Sequence, residues 1–269
     1  MIIDAHAHAA QKYANKSSII STLREYNIDK VILCPSPKNN QQLREPPNMP
    51  ISKNPNGIFS LNKMLRFAYT YFIKDNGDGN QYIYKIWEEI PNYVIPFIWV
   101  NPLSKEHMAN LEGNIKKYHA KGIKLHQCWN PFKIDGPEFA QLIEIANSQN
   151  IPIFIHLYSK KDATVLGNIA TKNRSTNFII AHMLGLDVFS KYGNKLENIY
   201  FDTSGSERVR EEDIQFAINK FGHEKVIFGT DTSYADIQTQ INKINRLKIK
   251  VTEKENIMGK NIQRLLSIK

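Results

Sequence analysis

The sequence predicts an α/β fold of the (β/α)₈ TIM barrel class. Short apolar runs rich in Ile and Val recur along the chain, and each is followed by a segment with helical periodicity. Eight such pairs in 269 residues match the size of one barrel. Hydrophobic residues make up 42% and charged residues 23% of the chain, which is the composition of a globular protein with a large core. A doubly wound open sheet is the alternative arrangement of the same elements.

The apolar runs predict buried parallel strands, because strands covered by helices on both faces read as continuous apolar stretches. The predicted strands are 2–8, 30–34, 93–100, 122–127, 151–157, 177–182, 199–204 and 225–231. The predicted helices are 17–26, 81–90, 105–119, 138–148, 160–171, 186–196, 211–221 and 236–247, with a last helix near 253–266 outside the barrel. We therefore expect residues 1–269 to form a single domain.

A long stretch at about 35–80, after the second strand, interrupts this alternation. It begins with a segment that holds six prolines, which excludes a regular element: Pro35, Pro37, Pro46, Pro47, Pro50 and Pro55. Residues 59–73 then place apolar side chains at helical spacing. The insertion leaves the carboxyl end of a strand, the face on which such barrels build active sites. Both a lid over the site and a family-variable decoration fit this position.

The charge balance favours an anionic partner. The chain has 35 Lys and Arg against 26 Asp and Glu, a net charge of +9, which suits nucleic acid or a carboxylate substrate. The densest basic cluster, 243–254, is typical of a solvated helix face, and the aromatic-interleaved basic motifs of RNA-binding modules are absent from the sequence. We expect a small-molecule substrate and no nucleic acid, and the sequence leaves a homo-oligomer open.

The cysteines and the apolar pattern predict a soluble cytoplasmic protein. Cys34 and Cys128 lie far apart in the sequence, which argues against a disulfide framework and favours a reducing compartment. The chain starts without a basic region followed by an apolar one, and no apolar run approaches the length of a membrane span. We therefore expect no membrane association.

Titratable residues stand near the ends of most predicted strands, where apolar residues would be ordinary. They are His6, His8, Lys124, His126, His156, His182, Asp202 and Asp231. The carboxyl ends of barrel strands meet at one rim, so these side chains should converge. His6 and His8 alternate with Ala7 and project the same way, about 7 Å apart. Each residue alone has a structural explanation, but burying all of them together would be costly, and a divalent cation is the simplest common partner.

The types of ligand predict the chemistry of the ion. Imidazoles and a carboxylate suit Zn²⁺ best, and Mn²⁺, Fe²⁺ or Co²⁺ fit less well. Zinc lowers the pKa of a bound water to about 7, so hydroxide is available at neutral pH. A carboxylate beside that water would take its proton.

The segments around these residues resemble the amidohydrolase superfamily. Residues 3–8, with the sequence IDAHAH, are similar to its first-strand D-x-H-x-H motif. Five further segments are similar to its amidohydrolase-2 branch: 100–102 (VNP), 122–126 (GIKLH), 180–182 (IAH), 202–205 (DTSG) and 228–231 (FGTD). Residues 257–266 resemble the tail I-x-G-x-N-x-x-R-L-L. The resemblance covers the chain apart from 35–80 and implies a metal-dependent barrel enzyme.

The resemblance also implies a role for each site residue. His6, His8, His156 and Asp231 would be the metal ligands, and Asp231 would also be the catalytic base. His182 would be catalytic, through a hydrogen bond to the water or to the developing oxyanion. Lys124 and His126 would bind the substrate. One ion is expected; a second would use Lys124 and His182, since a carboxylated lysine or a glutamate on the fourth strand bridges two ions in binuclear members.

One departure from the family concerns the last strand. The family usually has G-S-D-x-P there, and residues 229–233 read GTDTS, which lacks the proline and affects the loop more than the ligand. TatD-type deoxyribonucleases share the first-strand motif but have E-T-D on the last strand. Gly229 stands where that glutamate would be, which argues against a nuclease.

Three functions remain open from the sequence. The first is a metal-dependent hydrolase that uses a metal-activated water to cleave an amide, lactone or ester bond of a small substrate, for which the basic balance favours an anion. The second is a metal-dependent non-oxidative decarboxylase of a carboxylated aromatic or muconate-like substrate, because the same branch uses the same ligands for both reactions. The third is a non-catalytic metal- or nucleic-acid-binding barrel.

Overall fold

The computed structural model describes residues 1–36, 62–67, 79–205, 208–232 and 234–268. Parallel strands and helices alternate along these residues, which confirms the predicted α/β, (β/α)₈ fold. The strands are β1 (Ile3–His8), β2 (Lys30–Cys34), β3 (Val94–Pro96), β4 (Ile98–Trp99), β5 (Ile123–His126), β6 (Ile153–His156), β7 (Phe178–Ile180), β8 (Ile199–Asp202) and β9 (Val226–Ile227).

The helices lie between the strands, near the predicted positions. They are Lys16–Glu25, Gly79–Glu89, Lys105–Lys117, Pro137–Ser148, Lys160–Lys172, Leu186–Phe189, Glu211–Phe221, Ile237–Arg246, Val251–Glu255 and Asn261–Leu265. Several begin at a side-chain cap: Ser104, Ser159 and Asp236 each accept a hydrogen bond from the backbone N–H three residues later. Among the described residues, no helix is both long enough and apolar enough to cross a bilayer.

The strands pair in chain order, as a (β/α)₈ fold requires. Hydrogen-bonded pairs run β1-β2-β3 and β4-β5-β6-β7-β8-β9, all parallel. The first and last strands are also joined, because Ala5 N donates to Phe228 O at 3.0 Å and His8 N donates to Thr232 O at 2.7 Å. A doubly wound sheet would start from a central strand and run outward in both directions, so that alternative is wrong.

The predicted strand 93–100 is divided at Phe97 into β3 and β4. The first half pairs with β2, and Phe97 N donates to Leu33 O at 3.2 Å. From Ile98 onward the backbone pairs with β5 instead. The two halves occupy one of the eight strand positions.

Two predicted helices are broken in the structure. The helix predicted over 186–196 is only four residues long, and the following turn contains Gly193 at φ 59°, outside the helical region. The helix predicted near 253–266 contains a π turn at Asn256–Lys260. There the carbonyl of Ile257 accepts a hydrogen bond from the backbone N–H of Phe228 at 3.0 Å. This bond takes the carbonyl out of the helical pattern and anchors the terminal segment beside the last strand.

The predicted lid falls mostly outside the described residues. Of the insertion at 35–80, the structure describes 35, 36, the helical segment 62–67 and the start of the next helix. In that segment Asn62 is buried, and its amide N–H groups donate to the carbonyls of Leu157 and Tyr158, which follow β6. Segment 62–67 therefore packs at the carboxyl end of the strands.

Candidate metal centre

The two histidines of β1 are held in one tautomer. His6 Nδ1 lies 2.9 Å from Asp202 Oδ2, and His8 Nδ1 lies 2.8 Å from the carbonyl oxygen of Pro35. A carboxylate and a carbonyl only accept hydrogen bonds, so each Nδ1 carries the proton and donates it. Each Nε2 then carries a lone pair and no proton, which is the form in which a histidine binds a metal.

Asp231 approaches both of these Nε2 atoms. Its Oδ1 lies 3.6 Å from His6 Nε2 and 3.7 Å from His8 Nε2. The residue sits beyond the end of β9 at φ 60°, a left-handed conformation that is uncommon for a residue other than glycine. Its backbone N–H donates to His6 O at 2.7 Å, which fixes the turn beside β1. The three ligand atoms lie within 4.8 Å of one another, so together they fit one divalent ion.

His182 brings a third imidazole to the same carboxylate. It lies beyond the end of β7, although the predicted strand 177–182 included it, in a turn at φ 54°. Its backbone N–H donates to Asp202 Oδ2 at 3.2 Å. Its Nδ1 lies 2.9 Å from Ser204 Oγ and 3.2 Å from Ser204 O. The Ser204 hydroxyl donates to Asp202, so His182 Nδ1 is the donor in its contacts with Ser204. His182 Nε2 therefore presents its lone pair, 3.8 Å from Asp231 Oδ2.

His156 lines the wall of the site, where it contacts Asn62 and His126. Its Nε2 lies 3.0 Å from Asn62 Oδ1, and because the Asn62 amide N–H groups are used elsewhere, His156 Nε2 is the donor. Its ring stacks on His126 at a centroid distance of 3.9 Å, since the two residues are partners in the β5-β6 register. Both rings lie with Cys128 in a separate group of ligand atoms. The ligand role of His156 stays a prediction.

Lys124 and His126 project from β5 into different surroundings. The Lys124 side chain is fully buried, with its Nζ 2.7 Å from His6 Nε2 and 4.0 Å from the centre of the Phe154 ring. Its ammonium therefore donates to the lone pair that a metal would use. His126 lines the cavity and stacks against Trp129 at 5.1 Å. Their predicted role in substrate binding is not tested by these contacts.

Burial sets the charges of the site. It lowers the pKa of His8 to about 3 and the pKa of His6, His156 and His182 well below the usual value, so all four are neutral and able to bind a metal. Burial also raises the pKa of Asp231 to about 7, an effect that the charges of nearby cations oppose. A carboxyl group with this pKa suits proton transfer near neutral pH.

These side chains surround a cavity of about 50 Å³, room for a few water molecules. Its lining consists of His6, His8, Leu65, His126, Trp129, His156, His182, Arg208, Asp231 and Tyr234. Eight residues were expected to converge at one rim. Six of them line this cavity, and the other two, Lys124 and Asp202, both contact His6.

A family model described as amidohydrolase matches residues 3–268. The chain belongs to the amidohydrolase family. This agrees with the resemblance in the sequence, and it identifies the protein as an enzyme. A comparison with curated proteins finds no match to this amidohydrolase.

Solved structures share the fold of this amidohydrolase over nearly its whole length. A 2,6-dihydroxybenzoate decarboxylase from Rhizobium is 13% identical, with a TM-score of 0.69 over 99% of this chain and 98% of that one. A dihydroxybenzoic acid decarboxylase from Polaromonas, with bound manganese and 2-nitroresorcinol, is 15% identical, with a TM-score of 0.69 over 99% and 96% of the two chains. A structure described as a probable 2-pyrone-4,6-dicarboxylic acid hydrolase from Acinetobacter baumannii, with citric acid bound, is 17% identical, with a TM-score of 0.67 over 99% of each chain.

The structure gives a role to Asp202, which the sequence placed at the rim without one, and adds Ser204 to the site of this amidohydrolase. Asp202 orients both His6 and His182 and does not cap the following helix, whose N-cap is Arg210. Ser204 links the same two histidines. The spacing of Asp202 and Ser204, two residues apart after a strand that ends in the site, is the signal from which they could have been found.

Proposed function

We propose that this amidohydrolase is a metal-dependent hydrolase that cleaves an amide, lactone or ester bond of a small anionic substrate. One observation carries the proposal: His6 Nε2, His8 Nε2 and Asp231 Oδ1 converge within 4.8 Å, and each imidazole is held in the metal-binding tautomer. His156 is the fourth proposed ligand.

The proposed cofactor is one divalent ion, Zn²⁺ in the first place and Mn²⁺, Fe²⁺ or Co²⁺ as alternatives. Neutral imidazoles and a carboxylate are the donor set that these ions share. When bound, such an ion supplies Lewis acidity, which polarises a carbonyl group and lowers the pKa of a water. Lys124 would give up its contact with His6 Nε2 when the ion binds, and would then be free to face the substrate.

The two oxygens of Asp231 have separate surroundings, which supports separate roles. Oδ1 faces His6 and His8, whereas Oδ2 lies 3.8 Å from His182 Nε2. In the proposed mechanism Oδ2 takes the proton of the attacking water and passes it to the leaving group. His182 Nε2 has a lone pair and no proton, so it accepts a hydrogen bond from that water and orients it. His126, on the cavity wall, would position the substrate.

The hydrolase proposal is tested by measuring whether turnover requires the metal and whether Asp231→Asn abolishes it. Zinc-loaded protein is assayed against panels of lactones, esters and amides, with the exposed Asp187→Asn variant as the matched control. We expect Asp231→Asn to lower kcat by roughly a hundredfold or more and Asp187→Asn to leave it unchanged. Full turnover by Asp231→Asn would overturn the mechanism.

Decarboxylation is the second candidate, because two of the similar structures are described as decarboxylases and the same ligands would serve that reaction. Isotope labelling distinguishes hydrolysis from decarboxylation. Hydrolysis in H₂¹⁸O places one ¹⁸O atom in the organic product, whereas decarboxylation releases CO₂ and, in D₂O, places one deuteron on the carbon that lost it. Carboxylated aromatic acids are the probes for the second arm. Protein that binds no metal and turns over neither panel would favour the non-catalytic barrel.

We further propose a small-molecule substrate and a cytoplasmic location for this enzyme. Cys34 and Cys128 are both buried and free, which supports a reducing compartment. The cavity is narrow and lined by buried side chains, which argues against a nucleic acid strand as the partner.

A further inference from the structure

Asn62 reaches the wall of the metal site from the insertion and contacts His156. Both side chains are buried. The Asn62 amide nitrogen donates to the carbonyl of Leu157 at 2.9 Å and to that of Tyr158 at 3.1 Å, so its N–H groups are used by the backbone that follows β6. Its Oδ1 lies 3.0 Å from His156 Nε2. The amide is therefore fixed with its oxygen toward the histidine, and His156 Nε2 carries the proton of this hydrogen bond.

This contact gives His156 the opposite tautomer from that of the two histidines of β1. A neutral imidazole carries one N–H, so a ring that donates from Nε2 has its lone pair on Nδ1. In His6 and His8 the proton is on Nδ1, and Nε2 has the lone pair. The stack on His126, with a centroid distance of 3.9 Å and an interplanar angle of 10°, restrains the plane of the His156 ring. Asn62 thus holds His156 Nε2 in the form that cannot bind a metal.

The helical segment that carries Asn62 is attached at a second point. Arg66, one turn later, donates from Nη2 to Gln127 O at 2.7 Å, and its Cζ lies 3.4 Å from the centre of the Tyr158 ring. Leu65, which precedes it, lines the metal-site cavity. Segment 62–67 therefore bridges the carboxyl ends of β5 and β6. Its second attachment keeps Asn62 positioned against the histidine.

A metal bond from His156 Nε2 and the hydrogen bond to Asn62 exclude each other, because a protonated Nε2 has no lone pair to give. The three proposed ligand atoms of His6, His8 and Asp231 lie within 4.8 Å of one another. Within the described part of the chain, no group of converging ligand atoms adds His156 to these three. For a fourth bond, the Nε2 proton would leave to solvent water and Nδ1 would take one up. The ring would stay neutral, with no net release of a proton.

We propose that Asn62 is a positioning residue that withholds His156 from the metal centre, and that binding of the divalent ion transfers His156 Nε2 from Asn62 to the ion. The proposal rests on the function proposed above, in which His156 is the fourth ligand. Two events are thereby coupled: the ion binds more tightly when the Asn62 contact is absent, and the insertion loses a contact when the ion binds. The attachment of segment 62–67 becomes sensitive to whether the metal centre is filled.

Zinc affinity, measured by competition with a coloured chelator, tests this coupling. Asn62→Ala removes the acceptor, and Asn62→Leu removes it at a similar side-chain volume, so that a cavity in one variant does not decide the result. We expect each variant to bind zinc roughly three- to tenfold more tightly than the wild type, because a buried hydrogen bond no longer opposes the ion. Arg66→Lys is the matched control. It weakens the second attachment of the same segment at constant charge, and should change the affinity by less than about twofold.

The His156→Gln background distinguishes an effect through His156 from a general loosening of the segment. Removal of Asn62 should raise the zinc affinity only while His156 is present, so the double variant Asn62→Leu, His156→Gln should match His156→Gln alone. Histidine ¹⁵N spectra of the wild type give a direct readout, with the His156 signal assigned by its loss in His156→Gln. We expect the His156 proton on Nε2 in chelator-treated protein and on Nδ1 in zinc-loaded protein.

Three results would overturn the proposal. The first is an Asn62→Leu variant that binds zinc no more tightly than the wild type; a weaker affinity would mean that Asn62 orients a ligating His156 instead of withholding it. The second is a gain of the same size in the His156→Gln background. The third is a zinc-loaded wild type in which His156 keeps its Nε2 proton.

Turnover, measured on the same preparations, separates this proposal from the proposed function. If Asn62→Leu shows the gain in affinity but neither it nor the wild type turns over any substrate panel, only the proposed function is contradicted. An active, zinc-loaded wild type whose zinc affinity equals that of Asn62→Leu contradicts only the role of Asn62. Failure of the wild type and of both Asn62 variants to bind zinc would contradict both proposals.

Discussion

Asp4 Oδ1 accepts a hydrogen bond from the backbone N–H of Thr230 at 2.9 Å, and Asp4 Oδ2 accepts one from the Thr230 hydroxyl at 2.6 Å. Asp4 precedes His6 and His8 on β1, and Thr230 precedes Asp231. The pair therefore joins the two segments that supply the proposed metal ligands. Tyr13 adds a further hydrogen bond to Asp4 Oδ2 at 3.2 Å.

Replacing Asp4 by alanine should destabilise the fold. The buried N–H and hydroxyl of Thr230 would lose their acceptor, at a cost of roughly 2–4 kcal/mol in the free energy of unfolding. Denaturant unfolding of the metal-free protein measures this cost. Thr230→Ser, which keeps the hydroxyl, is the control and should change stability by less than about 1.5 kcal/mol. A loss below about 1 kcal/mol for Asp4→Ala would show that the link does not hold the two segments.

Asp202→Asn should weaken metal binding without removing a ligand. The carboxylate accepts from His6 Nδ1 at 2.9 Å, and an amide in its place would offer that proton a poorer partner and allow the other tautomer. We expect the zinc affinity, measured by competition with a coloured chelator, to fall roughly 10- to 100-fold. The exposed Asp187→Asn variant should match the wild type. Equal affinities for all three proteins would remove Asp202 from the metal centre.

His8 should make the metal-free protein sensitive to acid. Burial lowers its pKa from 6.5 to about 3, so between these values the unfolded chain binds a proton there and the folded chain does not. Its contribution to stability is present above pH 6.5 and is lost as the pH falls toward 3. We measure the free energy of unfolding of chelator-treated protein between pH 6.5 and 5. As the pH falls, it should decrease less steeply for His8→Asn than for the wild type, by up to about 1.4 kcal/mol per pH unit. His8→Gln should behave like His8→Asn. If the free energy of unfolding fell with pH equally steeply in the variants and the wild type, His8 would not be a neutral, buried residue.

Lys243→Met should destabilise the loop that follows β8. Lys243 Nζ donates to the buried carbonyls of Thr203 at 3.1 Å and Val209 at 2.9 Å, and a thioether in its place would leave both carbonyls without this donor. We expect the free energy of unfolding, measured by denaturant titration, to fall by roughly 1–3 kcal/mol. The exposed Lys220→Met variant is the control and should change it by less than about 0.5 kcal/mol. Equal stabilities of the two variants would show that Lys243 does not hold the loop.

The sequence was sufficient for the fold and for the kinds of residue at the site, since apolar strands that end in histidine or aspartate place those residues at one rim. It was less informative about the two residues beyond the strands. His182 and Asp231 adopt positive φ values in turns, so the alternation of faces along a strand says nothing about their direction. Their left-handed turns depend on hydrogen bonds to Asp202 and His6, which are distant in the sequence.

Pairing between distant polar residues was also beyond the sequence. Lys124 donates to His6 from 118 positions away. His156 donates to Asn62 from 94 positions away, and Asn62 lies in the insertion at 35–80, where the sequence motifs gave no guide. Which of several buried polar groups pair is decided by packing and desolvation, and these act only once the strands are assembled. Residue types therefore predicted a metal site, whereas its hydrogen-bond network required the structure.

Elemental analysis of protein purified without chelator or added metal tests the central claim most directly. The account predicts about one equivalent of divalent metal per chain in the wild type, and almost none in the His6→Asn, His8→Asn double variant. About two equivalents would contradict the single-ion site and assign Lys124 and His182 to a second ion. A wild-type chain that stays empty after reconstitution with zinc or manganese would contradict the metal centre itself.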